Sequence, residues 1–334
     1  MKQLQIFGAN DLRLVEVAVP QCGADDVIVD VAACGVCGSD LGYVASGGLG
    51  AAQPMPLGHE FAGRISAVGS AVGQWQLGQA VVVNPLSTAN LIGNGGSDGA
   101  FSRQVRVRSA HEPGTLFALP PGLGLERAAL AEPLAVAFHA VAQGAAHATT
   151  RAVVLGAGPI GLGCVIGLER VGVSDIVVLD RSARRRALAL ELGADAVFGD
   201  CDEAFWQALV ERHGGSDFYG RTLPRTELFV DCAGAGALVE AVVQRAAPRT
   251  RVVVVAVHHH AAALDLTLVM AKELELRGAF SYGESFPDAI AHLAAHGERL
   301  APYVSHRLPL SRFEAAFALA ADAEQAAKVL VVPD

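Results

Sequence analysis

The sequence predicts an α/β protein in two parts, a strand-rich first part and a doubly wound parallel sheet. Three observations carry that expectation. Short β-branched runs bounded by Gly, Asp or Pro fill the early part of the chain. Strands and helices then alternate, and a glycine-rich turn joins the first of those later strands to its helix. Alternation of this kind places helices on both faces of a parallel sheet.

In chain order, Val27-Ile28-Val29-Asp30-Val31 and Ala80-Val81-Val82-Val83 have the composition of antiparallel strands. The pattern changes after Glu132-Pro133, where residues 134–146 read as a helix with a Pro in its tolerated first turn. Strand 152–155 then leads to helix 159–171, and strand 176–179 to helix 183–192. Strands 228–231 and 251–255 follow, and segments 267–274 and 276–282 close the alternating unit. From Phe286 two helical patterns precede a last strand, 329–332, which is expected to return to the first part. The domain boundaries on this reading are 1–135, 136–281 and 282–334, the last segment completing the first domain.

A chain of 334 residues can hold two domains with separate cores, and 52% hydrophobic content describes a compact protein. Acids outnumber bases by 34 to 25, a poor match to nucleic acid or an anionic membrane. No basic, apolar leader opens the chain, and no apolar run reaches spanning length without Gly or charge. Cys22, Cys34, Cys37, Cys164, Cys201 and Cys232 are scattered rather than framed as pairs, so a reduced cytoplasmic setting is expected.

Two constellations carry chemistry. The strand Ala152-Val153-Val154-Leu155 runs into Gly156-Ala157-Gly158-Pro159-Ile160-Gly161, a dinucleotide fingerprint in its proper context. Gly156 permits the tight turn, Gly158 lets the backbone approach a pyrophosphate, and Gly161 allows close helix–strand packing. Pro159 and Ile160 open a helix whose N-terminal N–H groups and dipole face the phosphates. Asp180, at the end of the next strand, can accept both adenosine ribose hydroxyls and repels a 2′-phosphate, which favours NAD. Arg181, Arg184, Arg185 and Arg186 could hold a phosphate instead, although a solvated helical charge run accounts for most of them.

The second constellation is Cys37, in Gly35-Val36-Cys37-Gly38-Ser39-Asp40, with His59 and Glu60 in Gly58-His59-Glu60. Thiolate, imidazole and carboxylate together suit one four-coordinate, borderline-soft metal, most often zinc. The glycines are expected to let the backbone turn so that distant side chains converge. Alone, His59 reads as a core histidine and Glu60 as a surface acid; adjacent to each other and joined with Cys37, they read as ligands. Cys34 forms a C-x-x-C with Cys37, but two thiolates plus Glu60 would overload the site with negative charge. It is therefore expected to be a small buried residue, as are the remaining cysteines.

Gly58-His59-Glu60-Phe61-Ala62-Gly63 followed by Val68-Gly69 and Val72 resembles the zinc alcohol dehydrogenase signature of the medium-chain dehydrogenase/reductase superfamily. Cys37-Gly38-Ser39-Asp40, Ala131-Glu132-Pro133-Leu134-Ala135 and Lys328-Val329-Leu330 fall in the expected order, so the resemblance spans essentially the whole chain. Glu132-Pro133-Leu134 is typical of the polyol, threonine and butanediol dehydrogenase branch. The resemblance implies a GroES-like, β-rich catalytic domain plus a doubly wound Rossmann domain, with the active site in the cleft between them. It makes Cys37, His59 and Glu60 zinc ligands, and Glu132 a fourth ligand or the holder of a metal-bound water. The thiolate and Glu60 already neutralise Zn²⁺, which favours a labile Glu132. Ser39 would shuttle the hydroxyl proton, and Asp40 would fix the local backbone. Arg181, Arg185, Val255, Val257 and Ser281 are expected to contact the cofactor, whose nicotinamide would stack against the 255–257 segment.

The chain also departs from the family. Many relatives hold a structural zinc with four cysteines in a lobe after the strand ending near Val83. Residues 85–98 contain no Cys, so one catalytic zinc per chain is expected. Gly42, followed by Tyr43, stands where many relatives carry a relay histidine. His258-His259-His260 invites a metal reading, but adjacent side chains diverge, and a polar loop near the cofactor is expected instead, one of whose rings could touch substrate or nicotinamide. Sorbitol dehydrogenases have an arginine near Ser281; here Phe280, Ser281, Tyr282, Tyr43 and Phe101 suggest a less polar pocket. The expected function is zinc-dependent, NAD-linked interconversion of a secondary alcohol, small diol or cyclic alcohol with its ketone, by a homodimer or homotetramer. Sugar-alcohol oxidation, a zinc-free quinone or enone reductase, and a nucleotide-binding structural or sensing role are the alternatives.

Overall fold

The computed structural model describes residues 1–50, 54–87 and 89–334. They form two compact units, Met1–Glu132 with Phe286–Asp334, and Pro133–Ser285.

In the first unit, Lys2–Gly8 pairs antiparallel with Asp11–Glu16 and Met55–Pro56. A larger sheet runs in the order Val304–Pro309, Lys328–Val332, Val27–Gly35, Glu60–Val68, Ala80–Val83, Leu116–Ala118, and Gln104–Val107 also pairs with Val27–Gly35. Val27–Gly35 extends past the five residues read from composition, because Ala33 to Gly35 pair with Glu60–Val68, and Cys34 and Gly35 also with the C-terminal strand. The last strand thus returns to the first sheet as expected. Its core is aliphatic with a few rings, among them Phe61 and Phe101. Phe101, expected in a pocket wall, is 1% exposed and packs edge-on against Phe317.

The second unit is a parallel sheet in the order Ala196–Phe198, Asp175–Leu179, Arg151–Leu155, Leu228–Asp231, Arg251–Val254, Glu275–Gly278. Chain order reverses between Arg151–Leu155 and Leu228–Asp231, the switch point of a doubly wound sheet. The central strands are buried along nearly their whole length, as a sheet covered on both faces requires. Several elements were not foreseen, among them a helix and a hairpin. Gly38–Ser46 is a helix, and Gly215–Phe218 with Arg221–Pro224 is an antiparallel hairpin. The helix holds glycines at positions 38 and 42, which lower its intrinsic propensity, and the hairpin runs are too short to show alternation.

The loop before Gly99 is fixed by hydrogen bonds and close backbone contacts. Asn90 accepts the N–H of Arg108 (3.0 Å) and donates to the Arg108 carbonyl (2.9 Å). Gly93 has φ +66, and a Cβ there would collide with the Gly58 carbonyl, one residue before His59. Gly95 also has positive φ, but a Cβ would meet only Leu49 Cδ1 at 3.5 Å. Gly93→Ala should therefore lower stability by about 3 kcal/mol or more, against about 1 kcal/mol for Gly95→Ala, where backbone conformation alone is at stake. Equal losses in denaturant unfolding would contradict this contact.

Candidate metal and dinucleotide sites

Strand register assembles the first site. Gly35 lies opposite Glu60 on one side and Leu330 on the other, so three strands meet at Gly35. A Cβ on Gly35 would collide with the Glu60 carboxylate. The expectation that Gly35 serves a turn is corrected here: it is an extended strand residue whose missing side chain makes room for Glu60. Gly58 does turn, at φ +94, and a Cβ there would lie 2.5 Å from the Phe101 nitrogen.

Cys37 is the N-cap of the Gly38–Ser46 helix, and its N–H donates to Asp40 Oδ2 at 2.9 Å. Asp40 Oδ1 lies 3.4 Å from His59 Nδ1, and neither atom has another partner among the described residues. Asp40 thus faces both candidate ligands, Cys37 through its backbone and His59 through its ring, and leaves His59 Nε2 for ligation. The ligand atoms of Cys37, His59 and Glu60 all lie within 4.8 Å of one another. Burial penalises the imidazolium of His59, but the negative charge of Asp40 and Cys37 outweighs it and holds the ring's pKa well above its ordinary value. A pocket that favours positive charge on an imidazole beside a thiol and a carboxylate fits a divalent, borderline-soft cation. Cys34 does not join: burial, with Asp40 and Glu60, pushes its thiol pKa well up.

Lys328 was quoted only as part of a motif, yet it sits at the centre of this site. Its Nζ donates to Glu60 Oε1 (2.7 Å), Glu60 Oε2 (2.6 Å) and the Val36 carbonyl (3.1 Å), with both side chains 1% exposed. Burial lowers the lysine's proton affinity, but Glu60, Cys37 and Glu132 outweigh it, so the pKa is raised. Lys328 thus offsets part of the negative charge gathered around the candidate ligands, to which the buried Asp40 also contributes. Glu132 lies outside the 4.8 Å set of ligand atoms. It is buried in the first turn of helix Ala131–Gln143. Ser39 is half-buried in the first turn of its helix, and one turn later Tyr43 donates its hydroxyl to Asn94 Oδ1 at 3.2 Å.

The second site lies at the carboxyl end of Arg151–Leu155. Gly156 has φ +93, Gly158 caps helix Pro159–Arg170, and a Cβ on Gly161 would strike the Gly156 carbonyl. Ile160 follows Pro159 in the first turn. Asp180 follows its strand directly; Oδ2 accepts the Ala157 N–H (2.6 Å) and Oδ1 the Ser182 N–H (2.8 Å). The arginines separate by role. Arg186 is spent on the carbonyls of Asp180 and Arg181, while Arg181 and Arg184 are exposed. Arg185 Nη1 lies 3.8 Å from where a Gly158 Cβ would stand, and its Nε is buried without a partner. Of the remaining expected cofactor contacts, Val255 is half-buried, Val257 is 70% exposed and Ser281 has φ +60.

Residues 23–120 match the alcohol dehydrogenase GroES-like domain and residues 159–295 the zinc-binding dehydrogenase domain. Sorbitol dehydrogenase of Rattus norvegicus is 30% identical, over 94% of this chain and 91% of that protein. The crystal structure of 2R,3R-butanediol dehydrogenase from Bacillus subtilis superposes with a TM-score of 0.89 at 26% identity, covering 100% and 99% of the two chains. Galactitol-1-phosphate dehydrogenase from Escherichia coli superposes at 0.84 with 27% identity over the full length of both. The chain belongs to the zinc-binding alcohol dehydrogenase family, in which a GroES-like domain is joined to a Rossmann-type nucleotide-binding domain.

Proposed function

We propose that the protein is a zinc-dependent, NAD-linked alcohol dehydrogenase that interconverts a secondary alcohol, small diol or cyclic alcohol with its ketone. The observation that carries this reading is the buried cluster of Cys37, His59 and Glu60 in a chain whose other unit bears the glycine fingerprint and Asp180. When bound, zinc would supply a Lewis acid for the substrate oxygen and the nicotinamide a hydride acceptor. The chain's own residues do the rest. Cys37, His59 and Glu60 hold the metal, Asp40 fixes the ring of His59, and Lys328 pairs with Glu60. Glu132 is a further carboxylate for the metal or its water. Ser39 takes the hydroxyl proton of the substrate. Gly156, Gly158 and Gly161 cradle the pyrophosphate, Asp180 the adenosine ribose, and Arg185 the same end of the cofactor. The likeness to sorbitol dehydrogenase supports a sugar alcohol as the second substrate class.

The six cysteines are all unpaired, which suits a reducing compartment, and no helix among the described residues is long and apolar enough to cross a membrane. We also infer that the protein pairs with a second copy through strand Glu275–Gly278. This strand ends its sheet and is exposed at every residue, and Leu266 and Met270 in the helix that precedes it in the chain are each 71% exposed. Antiparallel self-pairing about Leu276 would set Glu275 opposite Arg277 of the second copy.

Purified protein should hold about one zinc per chain and form NADH with at least one alcohol, diol or polyol. Cys37→Ser and His59→Ala should each abolish turnover with the fold retained by circular dichroism. Two zincs per chain, or full activity without metal, would sink the reading. Asp180→Ser should shift preference toward NADP, because it removes the repulsion of a 2′-phosphate and leaves Arg185 in place. A wild-type enzyme already faster with NADP would show the assignment to be wrong. In sedimentation, Arg277→Glu should weaken the dimer and the double swap Glu275→Arg/Arg277→Glu should restore it. A monomeric wild-type protein is the contrary result.

A further inference from the structure

Asp231 ends the strand Leu228–Asp231 and is fully buried. Its Oδ1 accepts the N–H groups of Ala233 (3.1 Å) and Gly234 (3.2 Å), and its Oδ2 lies 2.6 Å from His258 Nε2. Its carbonyl accepts the N–H groups of Val255 and Ala256, both at 3.1 Å. One residue therefore ties the loop after its own strand to the loop after Arg251–Val254. Of the histidine triplet, His259 and His260 point outward and are exposed, whereas His258 is held with 19% of its side chain exposed.

A carboxylate only accepts, so the hydrogen between these groups belongs to Nε2 of His258. When the ring is neutral with its hydrogen there, the other ring nitrogen, Nδ1, is an acceptor, and it has no protein partner among the described residues. The loop also abuts the dinucleotide fingerprint, since a Cβ on Gly156 would lie 3.1 Å from Ala233. A dinucleotide with its pyrophosphate on Gly156–Gly161 and its adenosine ribose at Asp180 has one half over Asp175–Leu179. Its other half must cross the switch point, over Leu228–Asp231 and Arg251–Val254. That half meets a corner where the N–H groups of Ala233, Gly234, Val255 and Ala256 are already spent on Asp231.

We propose that His258, oriented by Asp231, is a cofactor contact that accepts a hydrogen bond at Nδ1 from the carboxamide NH₂ of the nicotinamide. The proposal rests on the dinucleotide reading above and adds to it a side-chain reader of the nicotinamide ring substituent. Asp231 is the positioning residue, since it fixes the tautomer and the ring.

The test is equilibrium binding to the intact protein of three ligands: NADH, the reduced 3-acetylpyridine analogue in which a methyl group replaces the amide NH₂, and ADP-ribose. Wild-type protein should prefer NADH to the acetylpyridine analogue by about tenfold, the effect of one hydrogen bond in a protected site. His258→Leu should bring that ratio close to one and leave ADP-ribose affinity within about twofold of wild type. His258→Asn keeps an acceptor near the Nδ1 position and should retain part of the preference. His258→Gln keeps only the donor toward Asp231 and should not. An unchanged ratio in His258→Leu would overturn the proposal. So would a loss of ADP-ribose affinity as large as that of NADH, or full rescue by His258→Gln, because either would make His258 a loop latch alone. Wild-type protein that binds neither NADH nor ADP-ribose would defeat the dinucleotide reading itself, and the proposal with it.

Discussion

The buried ion pair between Lys328 and Glu60 is the interaction on which the first unit's chemistry depends. It joins the C-terminal strand to the strand that begins at Glu60, and the Val36 carbonyl completes the lysine's shell beside Cys37. Removing one member of such a pair leaves an uncompensated charge in a dry interior, at a cost of about 3–5 kcal/mol. The pair also offsets part of the negative charge gathered around the candidate metal ligands.

Space for that pair comes from what is missing around it. Gly35 gives up its side chain to the Glu60 carboxylate, and Gly58 turns where any Cβ would strike the backbone of Phe101. The loop around Asn90 and Gly93 presses on Gly58 from the other side, and its Asn94 holds the hydroxyl of Tyr43 on the Cys37 helix. A polar, glycine-rich segment thus supports both candidate ligand segments through hydrogen bonds and backbone contact.

The second unit uses a comparable economy at the carboxyl ends of its strands. Asp180 and Asp231 each follow or end a strand on opposite sides of the switch point, and each carboxylate organises loop N–H groups. Asp180 holds the fingerprint turn at Ala157, while Asp231 holds two loops and a histidine. Carboxylates in these places accept backbone donors that would otherwise go unpaired at strand ends.

The sequence by itself determined the alternating sheet, the fingerprint and its acid, and the trio of Cys37, His59 and Glu60. These are local signals: β-branched runs, glycines at fixed offsets, and ligand-type residues set in short glycine-rich motifs. Tertiary structure alone decided what depends on register between distant segments. Lys328 lies far from Glu60 in sequence and reaches it only because the last strand pairs beside Gly35. The fate of each arginine after Asp180, and of each histidine in the 258–260 triplet, turned on which way a side chain faces. Adjacent residues with the same chemistry carry no local signal of that direction; it is set by the loops and strands packed against them.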